Sequence, residues 1–244
     1  MKIISFRISG AFAAFRDPSV TSNQTVYYIP SKSAVVGLVG ALIGIRRSDT
    51  LGEIYSKEYL DFFEKIRIGI KLESAPKKIT YFTNHRSLKE PKTKPFKAEL
   101  VENPRYTFYI STEDSFMKRL SDALLKNEFA YAPYLGHAYC PASIFDSKEM
   151  EGNDVDSEGE KTTCVILDES ESYNQSFEFK PEIVSGGSVI IERHIHHFFK
   201  DEKFDGRVLK HWIPTNGTEV EIDRDSPRYL SKFYKIGVHV VCLY

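Results

Sequence analysis

The chain has 244 residues, of which 41% are hydrophobic, 27% charged and 13% aromatic. This composition is typical of a globular protein and excludes global disorder and fibrous repeats, and a chain of this length buries a core without disulfides or metal ions. The formal net charge is only −1, but residues 1–145 carry 21 basic and 14 acidic side chains, whereas the remaining 99 residues carry 12 and 20. Opposite charges in the two halves indicate that the first half faces a nucleic acid.

The sequence indicates a protein of the cytoplasm with no membrane partner. Its longest apolar run, Ala34–Ile45, has twelve residues and is too short to cross a bilayer. The N-terminus begins directly with a strand-like run and has no signal-peptide pattern. Three cysteines, Cys140, Cys164 and Cys242, are odd in number and far apart, which favours free and mostly buried thiols.

Motifs for nucleotide hydrolysis, zinc proteolysis and serine hydrolysis are missing from the sequence. It contains no GxxxxGK[ST], HExxH or GxSxG pattern. A single ligand-like spacing joins His137 to Cys140, and structural zinc normally requires four ligands. We therefore expect no metal ion and no cofactor.

The first elements along the chain are a strand and a buried helix. Residues Ile3–Ile8 alternate between apolar and polar side chains, which predicts a strand, and Val26–Pro30 is a short extended segment. Pro30 with Ser31 or Ser33 then begins a helix over the apolar run Ala34–Ile45. Because this helix is apolar nearly all round, we expect it to be buried. Its small residues allow a neighbouring backbone to approach closely: Gly37, Gly40, Ala41 and Gly44.

The next elements complete a repeated βαβ order. We expect a helix over Tyr55–Lys65 and an alternating strand over Ile66–Leu72. After a basic arm come a strand over Arg105–Ile110, a helix capped by Ser115 that ends at Lys126, and a strand that ends at Ile144. This order is that of the ferredoxin-like plan, the frame of RNA-recognition domains. We therefore predict an α+β fold class, with residues 1–145 as a ferredoxin-like domain.

A basic and aromatic arm at about 76–104 interrupts this order. Seven lysines and arginines lie between Pro76 and Pro104, against three glutamates, and aromatic residues are interleaved with them. Its prolines prevent a long helix, so we expect an extended arm or a β-hairpin. Cations that neutralise phosphates, together with rings that accept unstacked bases, are what a groove for single-stranded nucleic acid requires. A solvated surface loop with a few packing aromatics is the alternative.

An acidic segment follows the first 145 residues. Asp146–Ser172 contains ten acidic residues against two lysines, and we expect 146–161 to be a flexible insertion. Residues 162–244 are predicted to form a small β-rich C-terminal subdomain. Its short strands are expected at 162–167, 176–179, 188–195, 208–212 and 236–243.

The densest cluster of titratable residues lies at Glu192–His197. In a strand, alternation places His194 and His196 on the same face, where they could form a metal site or an acid–base site. No Asp or Cys stands at a spacing that completes such a site. We therefore favour surface placement with contact to a partner or to RNA.

Two blocks of the first half resemble the CRISPR-associated protein five family, whose members are RAMP-superfamily subunits of type I interference complexes (Cascade). The first block comprises the motifs Gly10–Arg16, Thr25–Tyr27, Pro30–Ser33 and Val36–Gly44. The second, less specific block comprises Tyr134–Gly136 and Pro141–Ile144. The order of elements extends the resemblance to the first 145 residues.

The resemblance implies a ferredoxin-like palm with a projecting thumb, which corresponds to the basic arm. It also implies a role in antiviral defence. Such proteins hold the 5′ handle of the CRISPR RNA next to the backbone subunit and the large subunit, and they meet target DNA only through the complex. A generic RNA-recognition domain is a third possibility, but the chain lacks the basic-aromatic RNP1 string.

In one subtype the family cleaves the precursor RNA without a metal ion, using Tyr, Lys and His side chains. No such trio is recognisable in the sequence. We therefore expect a non-catalytic, handle-binding subunit of subtype I-B or a relative, with a metal-independent endoribonuclease as the alternative.

RNA-binding residues are expected at two places. Arg16 lies after the first strand, and Lys32 and Ser33 lie where a helix begins and its N–H groups favour a phosphate. The arm supplies the others, with His85 as a stacking or phosphate-contacting residue at its tip. The full expected set is Phe15, Arg16, Tyr27, Lys32, Ser33, Lys78, Tyr81, Asn84, His85, Arg86, Lys92 and Lys94.

Overall fold

The computed structural model describes residues 1–20, 23–86, 92–155, 159–168, 187–200, 203–222 and 231–244. In these residues the helices are α1 Lys32–Leu42, α2 Lys57–Lys65 and α3 Asp114–Lys126. The strands are β1 Lys2–Gly10, β2 Phe12–Ala13, β3 Phe15–Arg16, β4 Val26–Tyr27, β5 Arg67–Leu72, β6 Lys77–Arg86, β7 Thr93–Glu102, β8 Arg105–Ser111, β9 Ala142–Glu151, β10 Asn153–Asp154, β11 Lys161–Thr162, β12 Ile166–Asp168, β13 Ser188–Lys200, β14 Lys203–Thr215, β15 Val220–Glu221, β16 Lys232–Ile236 and β17 His239–Leu243.

Four strands form a central sheet in the order β5-β8-β1-β9, with every neighbouring pair antiparallel. Helices α1 and α2 lie in the connection from β1 to β5, and α3 connects β8 to β9. The predicted α+β class is therefore confirmed.

The main hydrophobic core lies between this sheet and the helices. Alternate residues of β1, Ile4, Phe6 and Ile8, belong to it, because successive side chains of a strand point to opposite faces. Ile3 belongs instead to a second buried cluster, with Trp212 and Leu243 of the C-terminal part. The central sheet is therefore covered on both faces.

The helices begin at polar caps. Ser31 Oγ accepts a hydrogen bond from Ala34 N at 3.4 Å, as predicted for α1, and Ser56 Oγ accepts one from Tyr59 N at 3.1 Å in α2. The prediction that Ser115 caps the third helix is wrong. Glu113 is the extended N-cap residue and makes no side-chain capping bond, so α3 begins at Asp114.

Helix α1 is not buried all round, although its apolar composition predicted this. Val35, Val36 and Val39 are buried in the core. The opposite side of the helix, with Gly37, Leu38 and Ala41, is only partly buried. A Cβ atom placed on Gly37 would meet no atom within 4 Å.

The described part of the expected acidic insertion at 146–161 is largely strand. β9 pairs with β1 from Gly10 opposite Ala142 to Lys2 opposite Glu151, with a bulge between Ser5 and Arg7. Most of its acidic side chains are exposed at the edge of the sheet. Charged edge strands are common in soluble proteins, and their composition resembles that of a solvated loop. The prediction of a flexible segment was therefore wrong for 146–151.

The C-terminal residues 162–244 are β-rich and share the core of the first half. Their described strands form the sheet β12-β14-β13 and, together with β10 and β11, the sheet β10-β16-β17-β11-β15. Tyr244 N donates to Ile68 O at 2.9 Å, and Ile68 N donates to Tyr244 O at 3.0 Å, so the chain end extends the free edge of β5. Within the strand expected at 236–243, residues 239–243 form β17 and Ile236 is the last residue of β16. The strand expected at 176–179 lies outside the described residues.

The cysteines are free and buried, as the sequence predicted: Cys140, Cys164 and Cys242. No helix in the described ranges is long and apolar enough to cross a membrane. His137, the other residue of the ligand-like spacing, is exposed and stacks on Tyr139 with ring centroids 4.8 Å apart. In the described part of the chain, no three His, Cys, Asp or Glu side chains are grouped to hold a metal ion.

Candidate nucleic-acid interface

The basic arm is a β-hairpin of two ten-residue strands, β6 and β7, whose register runs from Lys77 opposite Glu102 to Arg86 opposite Thr93. Its base is fixed to the rest of the molecule. Val101 is fully buried, and Gln24 N donates a hydrogen bond to Lys97 O at 3.1 Å. The outer half therefore extends from a rigid base.

One face of the outer half is an exposed basic surface with one aromatic ring, and we call it the hairpin face: Phe82, Asn84, Arg86 and Lys97. Alternation places the first three on one side of β6, and Lys97 stands directly opposite Phe82 on β7. The Phe82 side chain is 75% exposed, and the other three are also exposed. An exposed ring that shares a face with two cations suits stacking of an unpaired base and contact with its phosphates.

Tyr81, an expected RNA contact, belongs to the other face of the hairpin. It is partly buried and hydrogen-bonded to Tyr139, and burial together with this bond raises the pKa of Tyr139 to about 12. Lys94 is exposed on this second face, opposite His85 in the register. Lys92 is exposed as well, and residues 87–91 between the strands lie outside the described ranges.

Lys78 lies at the base of the hairpin, where it has partners within the protein. Its Nζ is 3.3 Å from Glu192 Oε1 and 3.9 Å from the centroid of the Tyr28 ring. Glu192 also accepts hydrogen bonds from Tyr28 N at 2.9 and 3.1 Å, and its Oε2 lies 3.1 Å from His194 Nε2. This carboxylate therefore joins the hairpin, β13 and the segment after β4. The position of Lys78 argues for a structural role.

The three expected contacts around β3 and β4 have different surroundings. Arg16 is exposed on β3. Phe15 and Tyr27 are buried, and the Tyr27 hydroxyl donates to Asp17 Oδ1 at 2.8 Å. Burial and this hydrogen bond raise the pKa of Tyr27. We do not retain Tyr27 as a base-stacking residue, because its ring belongs to the core and stacks on His194.

Lys32 and Ser33 lie in the first turn of α1. Ser33 Oγ is 3.0 Å from Ser31 Oγ. The Lys32 ammonium is partly buried over the Phe63 ring, and burial together with the nearby Arg67 lowers the pKa of Lys32 to about 8. Among the described residues no carboxylate lies within 4.0 Å of it. Lys32 is therefore a charged group at neutral pH that has no acidic partner in the described part of the chain.

The histidines of Glu192–His197 are largely internal, so their expected surface placement is wrong. His194 and His196 do share a face of β13, as alternation predicted, but they are only 1% and 3% exposed. The ring of His194 lies between Tyr27 at 3.8 Å and His211 at 4.3 Å. Burial lowers the pKa of His196 to about 3, mainly by desolvation, and that of His211 well below its ordinary value. His196 and His211 are therefore neutral packing groups.

Comparison with known proteins identifies the family. The sequence model of the CRISPR-associated protein (Cas_Cas5) family matches residues 3–219. The chain belongs to this family. A search of curated proteins finds no significant match.

Two solved structures share the fold of this Cas5 family member. A crystal structure of a CRISPR protein from Archaeoglobus fulgidus superposes with a TM-score of 0.57 at 14% identity and covers 99% of both chains. A chain from a CRISPR RNA-guided surveillance complex superposes with a TM-score of 0.50 at 13% identity, over 90% of this chain and 91% of the other. At these identities the likeness concerns the fold alone.

The two sequence blocks that carried the family resemblance pack against each other. Ala14 N donates to Leu135 O at 2.9 Å. Gly136 has a φ of +86°, and a Cβ on it would lie 2.2 Å from Ala14 O. A Cβ on Gly10 would lie 2.7 Å from Pro141 O. The glycines of both blocks therefore allow two backbone segments to approach closely.

Sequence reasoning missed Phe82 as an interface residue, and it missed the contacts by which Glu192 holds the base of the hairpin. Phe82 was recognised as an aromatic residue of the arm, but only the register shows that it, and not Tyr81, is on the open side. Glu192 is 164 residues from Tyr28 and 114 from Lys78 along the chain, so no local pattern reveals their contact. An exposed phenylalanine among lysines was the one available signal for the hairpin face.

Proposed function

We propose that this Cas5 family member is a non-catalytic RNA-binding subunit of a type I CRISPR RNA-guided complex, and that it holds the 5′ handle of the CRISPR RNA. The observation that carries the proposal is the hairpin face, where the exposed Phe82 ring stands opposite Lys97 and on the same side of β6 as Asn84 and Arg86. This arrangement offers stacking to a base and charge to the adjoining phosphates. Family membership supplies the CRISPR context.

In this proposal the central sheet with α1, α2 and α3 is a ferredoxin-like palm, and the hairpin β6–β7 is its thumb. The strand order β5-β8-β1-β9, with helices in the two crossover connections, supports this assignment. The RNA would bind between the thumb and the palm. We propose the backbone subunit and the large subunit of the complex as protein neighbours, and target DNA as an indirect one.

Other cations would extend the RNA path beyond the hairpin face. Lys92 and Lys94 are exposed near the tip of the hairpin, and Arg16 is exposed near its base. Lys32 has no carboxylate within 4.0 Å among the described residues, and a bound phosphate would supply the missing counter-charge. We retain these four residues, with Ser33, Asn84, His85 and Arg86, as proposed RNA contacts.

The absence of catalysis in the proposal is supported by the burial of His194 and His196 on β13. Metal-independent cleavage requires a base within hydrogen-bond reach of the RNA 2′-hydroxyl and an acid near the leaving oxygen. His194 and His196 are nearly inaccessible, and Tyr27, which stacks on His194, is held by Asp17. A buried imidazole with a pKa of about 3, as in His196, is a poor base near neutral pH. This favours a binding subunit over an endoribonuclease.

Two assays on the purified full chain test the proposal. The first measures the affinity for a labelled single-stranded RNA containing the repeat sequence, for wild type and Phe82→Ala. Loss of one base-stacking ring should weaken binding by about tenfold. Phe145→Ala is the matched control, because Phe145 is also an exposed phenylalanine on a strand, β9, away from the hairpin.

The second assay incubates the same RNA with the protein in EDTA and follows cleavage products. We expect intact RNA. Products ending in a 2′,3′-cyclic phosphate would establish the endoribonuclease alternative, and equal affinities of the Phe82 and Phe145 variants would contradict the assignment of the hairpin face.

A further inference from the structure

The exposed side of α1 lines a groove of about 710 Å³ between this helix and two loops. We call this site the α1 groove. Its floor includes Gly37 and Leu38, and its other sides are formed by residues 45–48 and 131–136 together with tyrosines of the α2 region. The volume lies in the range of sites that bind small ligands or single nucleotides.

Gly37 indicates that something approaches the helix closely at this groove. It lies in the middle of α1, where glycine destabilises a helix by about 0.5–1 kcal/mol relative to alanine. The fold itself does not require a glycine, because a Cβ at this position would meet no atom within 4 Å. Gly40, one turn along, differs, because a Cβ placed on it would lie 3.8 Å from the Phe62 ring and 3.7 Å from Ile45 Cβ. A ligand that lies against the backbone accounts for the missing side chain.

The charge of the α1 groove is complementary to an anion. Arg46 and Arg47 line it, and both are exposed. No aspartate or glutamate is among the described residues that line it. The Arg47 guanidinium lies 5.0 Å from the centroid of the Tyr55 ring, so its planar group stays beside an aromatic face while its charge remains available.

Aromatic rings complete the groove. Tyr131 and Tyr134 are 54% and 45% exposed, and Tyr55 and Tyr59 stack on each other with centroids 5.5 Å apart. The loop that carries Tyr131 and Tyr134 is fixed at both sides, because Ala130 N donates to Leu42 O at 3.0 Å and Ala14 N donates to Leu135 O at 2.9 Å. The rings are therefore presented from a preorganised backbone.

We propose that the α1 groove binds one unstacked nucleotide of the RNA, with its base against Gly37 and the tyrosines and its phosphate near Arg46 and Arg47. This inference rests on the proposed RNA-binding function and adds a second contact surface to it. Continuity with the hairpin supports it, since Tyr139 of the same loop hydrogen-bonds to Tyr81 of β6. An apolar peptide would not account for two arginines without an acidic partner in the lining, so RNA is the favoured occupant.

The test uses the full chain and a short oligouridine that carries 5-iodouridine for photo-cross-linking. Gly37→Trp fills the groove, and Tyr131→Ala removes a ring without adding volume. Leu125→Trp on α3 is the matched control, since it adds the same ring at an exposed helical position outside the groove. We expect Gly37→Trp and Tyr131→Ala to weaken binding by about tenfold, and wild-type cross-links to map to the peptide containing Tyr131 and Tyr134. The melting temperature of each variant reports whether it has folded.

The outcomes separate this inference from the proposed function. If wild type binds no RNA, the proposed function fails. If Lys92→Ala and Lys94→Ala weaken binding but the groove variants and the cross-link map show no role for the groove, only the present inference is overturned. Gly37→Trp could instead keep its RNA affinity and lose complex subunits that co-purify with wild type. That result would assign the groove to a protein partner and would also overturn the present inference.

Discussion

Acidification should destabilise the fold through His196. This imidazole is buried near Lys32, His197 and His194, and burial together with these neighbours lowers its pKa to about 3. In an unfolded chain the pKa of histidine is about 6.5. Because the unfolded state takes up the proton first, the stability contributed by the neutral ring is complete above about pH 6.5 and is lost as the pH falls toward about 3.

The magnitude follows from the width of this pH window. Each pH unit below the unfolded pKa reduces the free energy of unfolding by about 1.4 kcal/mol per histidine, so the loss from His196 at about pH 5 is about 2 kcal/mol. His211 changes stability in the same direction, because burial also lowers its pKa. His196→Gln keeps a polar side chain and removes the titration of this one group.

Urea unfolding of wild type and His196→Gln, each at about pH 7.5 and about pH 5, measures the effect. The free energy of unfolding of wild type should fall by about 2 kcal/mol more than that of the variant. Comparing each protein with itself removes the pH-independent cost of the substitution. Equal losses in the two proteins would refute the reasoning, because a neutral buried imidazole must lose stability on protonation.

Two further substitutions test how the hairpin and the family blocks are held. Gly136→Ala should lower the free energy of unfolding by at least about 2 kcal/mol, because the new Cβ adds an overlap with Ala14 O to the cost of a positive φ. Gly52→Ala is the control, because Gly52 also has a positive φ but a Cβ on it would meet no atom within 4 Å. Comparing the two variants in thermal or urea unfolding separates the steric overlap from the backbone strain. Lys78→Ala should cost about 1–3 kcal/mol, because it leaves Glu192 with one fewer partner. Lys94→Ala should leave the melting temperature nearly unchanged, and equal effects of the two lysine variants would contradict the structural role of Lys78.

Local pattern was sufficient to predict the regular elements around the site. Alternation in Ile3–Ile8 and Ile66–Leu72 predicted β1 and β5, because a period of two residues places alternate apolar side chains on one face. Interleaved prolines, cations and aromatics predicted an extended arm at 76–104, where β6 and β7 lie. His194 and His196 lie on the same face of β13, and the alternation of side chains along a strand is sufficient to predict this.

The remaining features depend on register and on contacts distant in sequence. A register shift of one residue would exchange Tyr81 and Phe82 between the faces of the hairpin. Only the pairing with β7 fixes which of the two lies on each face. Charge could not distinguish the exposed edge strand β9 from a loop, because both are solvated. Burial of His194 depends on Tyr27 and His211, which come from other strands. Which side of α1 stays exposed depends on how the other elements pack against the helix.

The salt dependence of RNA affinity tests the central claim most directly. If the hairpin and its neighbours neutralise about four phosphates, the slope of log affinity against log salt concentration should be near −3, at roughly 0.7 per contact for a single strand. In the double variant Lys92→Ala with Lys94→Ala the slope should become shallower by about 1.4. A slope indistinguishable from zero, or the same slope in wild type and the double variant, would contradict an RNA interface on the hairpin.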